Sequence, residues 1–302
     1  MESVFDHVLT APPEPLDTLQ EVWARHLRTA AEFDRTVDAA VAGGFGADRL
    51  GFAFLSGYQE ALRCLLPELA GLPSALCATE ADGAHPAAIR ARLTERAGGW
   101  VVDGTKTFVT LGRMARRLVV VASVGQEGER NVLRAALVDA TADGVAIEDR
   151  PPAPFVPEIP HAAVTFTAAA AIPLPGDGYL DYLKPFRTLE DAHVLAAALG
   201  WLLRVARESN WPESVAQRLL AGVAMVRGLE VDRPGGGRTP GAHIALGGVY
   251  DFVAELLEEL NPLWAEANPA HRARWERDRP LLGIAGRVRA QRLAAAWRAF
   301  EG

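Results

Sequence analysis

The sequence predicts an α+β protein, helical towards both ends and β-rich in the middle. Three observations carry this. Before residue 72 and after residue 183, apolar residues recur at three- and four-residue spacing, as on amphipathic helices. Between residues 74 and 172 the pattern changes to short runs of β-forming residues separated by Asp, Gly and Pro clusters. Within that stretch Asp103-Gly104 stands between β-formers, a two-residue hairpin signal because both turn positions need positive φ.

Residues 1–15 are polar and Pro-rich and read as a loose lead-in. Residues 16–42 read as a helix from Leu19, Val22, Trp23, Leu27 and Ala30, ended by Gly43-Gly44-Phe45-Gly46. A second helix, 52–66, has Phe52, Leu55, Tyr58, Leu62 and Leu65 as its apolar face, and 67–73 is a turn region. Strands follow at 89–96, 100–103, 106–110, 118–123, 132–139, 145–148 and 164–167, with the prolines of 151–160 in loops. Short strands at this spacing build a small barrel or a sandwich. Helices return at 188–208, at 213–229 with Pro212 near its first turn, at 243–260 and at 281–300, and 232–240 is a Gly-rich connection. The expected domains are 1–72, helical; 73–172, β; and 173–302, helical. Trp201, Trp211, Trp264, Trp275 and Trp297 are expected in the core or at a subunit interface.

The 302 residues carry a net charge of −7, which argues against a general nucleic-acid binder, whose phosphate contacts need excess Lys and Arg. Cys64 and Cys77 are the two cysteines, and no Cys/His cluster has zinc spacing, so no metal site is expected. They read as buried residues of a reduced, cytoplasmic protein. The first 20 residues lack the pattern of a signal peptide, and no run of 18 apolar residues suits a membrane span.

The chemistry concentrates in two segments, Cys77-Ala78-Thr79-Glu80 and the run from Trp100 to Thr110 that contains Lys106-Thr107-Phe108-Val109-Thr110. Two strand-end hydroxyls, Thr79 and Thr110, with backbone N–H groups, suit the edge of a flat polar ring. In order and separation these segments resemble the acyl-CoA dehydrogenase family. Its middle β-domain opens with a Thr-Glu-Pro-Gly-type loop and continues into a Gly-x-Lys-x-(aromatic)-(aliphatic)-Thr hairpin. Residues 116–122 resemble the strand that follows. The resemblance implies N-terminal helices, a central β-barrel and a C-terminal helical bundle in a homodimer or tetramer, in a chain shortened at both ends. It implies FAD held by Thr79, Phe108 and Thr110, with Glu80 and Lys106 as structural members. An acyl-CoA or related thioester is the implied substrate, in fatty-acid metabolism.

Such a reaction needs a base for the α-proton, a flavin for the β-hydride and donors for the thioester carbonyl. The chain has no Tyr-Glu-Gly-type segment near its C-terminus, and Glu301-Gly302 follows a helix with nothing after it. Isovaleryl-type members place the base ten residues before a glycine, which here maps Glu190 against Gly200. Arg187, Glu190 and His193 share a helix face, so the carboxylate's pKa is open to tuning in either direction. Glu190 and Asp191 also suit the first turn of a helix, where acids meet the macrodipole. The family usually has Arg where Asp191 stands.

His85 occupies the place of a family serine that contacts substrate or cofactor, and Pro86 removes an N–H beside it. His85 and Arg187 are therefore the candidate substrate-binding residues, His85 reading equally as a loop histidine in solvent. The family's two segments for the FAD pyrophosphate and adenine have no counterpart. The Gly-rich stretch 231–240 is either a phosphate cradle or an interhelix loop. Eight arginines in the last 32 residues present a face for CoA phosphates or a solvated helix surface. Two functions remain open: a flavin-dependent dehydrogenase with Glu190 as base, and a non-catalytic relative acting as a binding or interaction protein.

Overall fold

The computed structural model describes residues 3–233 and 236–301. The chain forms two compact units. One comprises Met1–Cys64, Pro154–Glu158 and Thr188–Gly302; the other comprises Leu65–Ala153 and Ile159–Arg187.

The second unit is a small barrel of β1 (Ser74–Cys77), β2 (Arg92–Arg96), β3 (Gly99–Thr110), β4 (Arg117–Glu127), β5 (Arg130–Asp139), β6 (Val145–Asp149) and β7 (His161–Pro173). Closure runs β4–β2–β3–β7–β5 and back to β4, with β1 added parallel to β4 and β6 antiparallel to β7. Between the barrel and sandwich that strand spacing allows, closure selects the barrel, leaving β1 and β6 paired on one side only. Strand β4 is apolar without alternation, and Leu118 to Ala122 are all fully buried, as expected of a strand covered on both faces.

Asp103-Gly104 is not a hairpin. The strands expected at 100–103 and 106–110 are one strand, and the reversal lies just before it, where Arg96 of β2 pairs with Gly99 of β3. Gly104 has φ +131°, but it serves a bulge between Val102 and Gly104 in the β3–β7 ladder. A Cβ there would sit 2.7 Å from the Ala91 Cα. The conformational demand on glycine is real, and the element it serves is different.

The helical unit holds α1 (Val4–Thr10), α2 (Leu19–Ala30), α3 (Thr36–Gly46), α4 (Leu50–Leu65), most of α5 (Lys184–Glu208), α6 (Glu213–Gly228), α7 (Pro240–Leu260), α8 (Pro269–Asp278) and α9 (Gly286–Arg298). The loose lead-in contains α1, capped by Ser3. The helix expected over 16–42 is two helices. α2 opens with a Thr18/Glu21 capping box, and the chain turns before α3 where Arg35 grips Asp232 at 2.8 Å. Gly43-Gly44-Phe45-Gly46 forms the last turn of α3, and the helix ends at Gly46, four residues later than expected. Helix α5 approaches so closely that a Cβ on Gly44 would meet the Ala197 carbonyl at 2.0 Å.

Helix α5 begins at Lys184, behind a π-helical turn over Gly178–Leu183. Glu190 and Asp191 therefore fall beyond its first turn. The helix expected over 281–300 is a 3₁₀ turn, Arg279–Gly283, followed by α9. Trp201, Trp264 and Trp275 stack in the core, the last two 5.0 Å apart and near-parallel, with Trp211 edge-on to Trp264. Trp297 is 52% exposed. The C-terminal arginines are largely committed to ion pairs: Arg274 with Asp48, Arg277 with Glu158 and Asp278, and Arg289 and Arg292 with Asp191. Among the described residues no helix is long and apolar enough to cross a membrane, and no group of His, Cys, Asp and Glu could hold a metal ion.

Candidate functional site

The candidate ring site is made by a second bulge in β3. Lys106 pairs with Val164 and Val109 with Ala162, so β3 spends three steps where β7 spends two. Strict alternation from Lys106 would send Phe108 into the barrel. The extra residue puts Val109 inside instead, fully buried, and turns Phe108 outward with 45% of its surface exposed. Thr79 bridges to Phe108, and its carbonyl accepts the Thr107 N–H at 2.9 Å. The structure thus brings Thr79 and Phe108 together, with Thr110 two residues on. Leu111 then takes φ +71° and is fully buried, a strained exit that anchors the strand end.

Beneath this surface Glu80 and Lys106 form an ion pair of 2.6 Å. Lys106 Nζ also donates to the Val121 carbonyl at 2.6 Å, and Glu80 accepts the Arg90 and Ala91 N–H groups at 2.7 and 3.1 Å. Burial pulls the Lys106 ammonium below its ordinary range, and the Glu80 carboxylate opposes this. The pair ties the Thr79 loop to the entry of β2, to the middle of β3 and to β4, which is a structural part.

His85 and Arg187 meet at one loop. Arg187 donates to the Ala84 carbonyl at 3.1 Å. His85 Nδ1 accepts the Ala87 N–H at 3.3 Å, capping a 3₁₀ turn that starts at Pro86. His85 is exposed at a cleft of about 330 Å³, with Pro86, Leu133, Tyr179 and Leu180 as apolar walls. At the rim Arg130 donates to Asp177 at 2.8 Å. The cleft suits an apolar group beside polar donors.

Glu190 lies on the α5 segment of the helical unit and is half-buried. His193 does not stand ready to tune it. Its Nδ1 faces the Leu189 carbonyl at 2.7 Å and its Nε2 the Thr36 hydroxyl at 2.8 Å, fixing a neutral tautomer in the core. Burial holds its pKa below the ordinary histidine value. Asp191 is not a solvated helix-start acid: it is 6% exposed and held by Arg289 at 3.1 Å and by Arg292. Burial raises its pKa, against both guanidiniums.

In the stretch 231–240, Pro234 and Gly235 lie outside the described residues, as does Gly302. The flanks serve structure: Asp232 accepts from Arg35, and the Thr239 hydroxyl caps α7 by accepting the Ala242 N–H at 3.2 Å.

Two residues of the exposed face escaped the sequence. His161, opposite Thr110 in the β3–β7 ladder, stacks on Phe108 with centroids 4.3 Å apart. Arg150 donates to the Thr107 carbonyl and stands 5.9 Å from the Phe108 centroid. Both lie more than 40 residues from Phe108 in sequence, and only a strand register could have joined them.

Residues 75–169 match the acyl-CoA dehydrogenase middle-domain family. A comparison with curated proteins found no match. Butyryl-CoA dehydrogenase from Megasphaera elsdenii superposes with TM-score 0.68 at 13% identity, covering 93% of this chain and 90% of that one. FMN-bound TdsC from Paenibacillus sp. A11-2 gives 0.70 at 14%, covering 96% and 95%. The FAD complex of PigA gives 0.65 at 15%, covering 94% and 90%. At such identities these likenesses establish the fold.

Proposed function

Because this chain is an acyl-CoA dehydrogenase-like protein in fold and in its middle domain, we propose that it is a flavin-dependent oxidoreductase acting on an acyl-CoA or related thioester. The observation that carries the reading is the outward Phe108, turned out by the β3 bulge and bridged to Thr79. An exposed aromatic face flanked by hydroxyls fits a flat ring with polar edges, so the residues present fit a flavin. Similarity to FAD- and FMN-bound proteins supports the same group.

When bound, the flavin supplies the two-electron acceptor for the substrate's β-hydride. In this reading Phe108, Thr79 and Thr110 are the residues that would hold the ring. The His85 cleft receives the thioester, with Arg187 holding the Ala84–His85 loop in place. Glu190 takes the α-proton onto its carboxylate. One observation favours the second reading, a non-catalytic binding relative: His85 Nδ1 is spent on capping its own loop.

Anaerobic titration separates the two. The purified protein, saturated with FAD or FMN, is mixed with acyl-CoA thioesters and its visible spectrum followed. Bound flavin that bleaches supports the oxidoreductase. Bound flavin that no thioester bleaches supports the binding relative, and failure to take up either flavin removes the ring site itself.

A further inference from the structure

The outer face of the barrel holds a stacked pair of which the motif segments include only Phe108. His161 covers Phe108 at a centroid distance of 4.3 Å and an interplanar angle of 27°, and Phe108 stays 45% exposed. The stack follows from the register. Val109 faces Ala162 and Thr110 faces His161, so the imidazole emerges on the outer face beside the bulge that displaces Phe108. Ala162 on the next position is fully buried and fixes that facing. The His161 ring is desolvated, which lowers its pKa, with the Ile159 carbonyl opposing and Arg150 adding to the shift. A neutral, flat imidazole stacks without bringing a charge.

Phe108 belongs to a bulge, where the β3–β7 ladder is interrupted, so no residue of β7 faces it in that ladder and only its bridge to Thr79 pairs its backbone. The imidazole supplies the missing constraint from one side and leaves the remaining surface for a ligand. We infer that His161 is a positioning residue: it backs the Phe108 ring and holds it flat against a bound flavin. The role rests on the flavin reading above, and its contribution is that of an aromatic pair beyond simple burial.

The test is a double-mutant cycle read by flavin binding. FMN and FAD are titrated into the wild type, His161→Ala, Phe108→Ala and the double variant, following flavin fluorescence and the visible band shape. His161→Ala is expected to weaken binding roughly two- to tenfold and to shift the flavin band. In the Phe108→Ala background it should add nothing. His161→Phe, which keeps a flat ring, should restore affinity and band position; His161→Asn, polar without a ring to stack, should behave as His161→Ala. A structural role alone would lower the melting temperature without moving the band or following ring shape. The inference is overturned if His161→Ala binds and absorbs as wild type, or if its effect persists undiminished without Phe108. If the wild type takes up neither flavin, the flavin reading falls and the role with it; if it binds and only the cycle fails, the role alone falls.

Discussion

Lys106 and Glu80 meet inside the barrel at 2.6 Å, with the lysine side chain wholly inaccessible and the carboxylate 7% exposed. Every charged atom is matched, the ammonium by Val121 O and the carboxylate by two backbone N–H groups. Breaking such a pair from one side strands a charge. Lys106→Met is expected to cost about 3–5 kcal/mol in urea unfolding, and Glu80→Gln with Lys106→Met less than Lys106→Met alone. Equal losses from the single and double variants would show that the stranded charge is not the cause.

Glu190→Gln removes the proposed base while keeping size and polarity. Flavin affinity should be unchanged, and thioester-dependent bleaching should slow at least about a hundredfold. Unchanged bleaching takes Glu190 out of the mechanism.

His193 makes stability depend on pH. Its pKa is lowered in the folded chain by burial and returns to about 6.5 on unfolding. Below that value the unfolded state binds the extra proton, so stability falls as pH drops, by up to about 1.4 kcal/mol per unit until the folded group also titrates. His161 contributes with the same sign. His193→Gln should flatten the fall between about pH 7 and pH 5, although its absolute stability is lower. An unaltered slope in denaturation at several pH values counts against the assignment.

Cys77 is fully buried and Cys64, expected to be buried, is only half-buried, and burial raises the pKa of both thiols. Cys64 is pushed up to about 11 and Cys77 to about 12, so at neutral pH almost no thiolate exists. Native protein should give a negligible signal with a thiol-disulfide reagent, and denatured protein should release both of its cysteines. Rapid labelling of either in the native state contradicts this environment.

Gly104 meets two constraints, φ +131° and the Ala91 Cα 2.7 Å from any Cβ. Gly104→Ala should cost at least about 1–3 kcal/mol from backbone strain. Gly98→Ala, with open space around it, is the control and should be close to neutral. Parity between the two in thermal melts would refute the packing argument.

Most strands were legible because a run of β-formers between turn residues is a local property, although β1 was missed and β3 was read as two, and the Glu80 and Lys106 positions were legible because their motifs are short and ordered. What the sequence hid is what depends on neighbours. The glycines of α3 read only as a stop, which they also are, since the approach of α5 that requires Gly44 is invisible from residues 43–46 alone. Gly104 takes a positive φ in its bulge as it would in a turn, so its local chemistry could not separate the two. Glu190 and Asp191 read as a helix start because the π-helical turn before Lys184 has no apolar period of its own. His161 was silent for the plainest reason: a lone histidine gains meaning only when strand register sets it on an aromatic ring.

The helical unit is assembled from both ends of the chain, Met1–Cys64 and Thr188–Gly302, around the short insert Pro154–Glu158. Gly44 contacts Ala197 across more than 150 intervening residues, so this core cannot close while the ribosome is still making the barrel. The barrel's residues are closer together in sequence and emerge as a nearly complete set before Thr188–Gly302. Synthesis therefore leaves α1 to α4 waiting with apolar faces uncovered, a window in which a chaperone has a defined client and a premature stop leaves an orphaned helical arm.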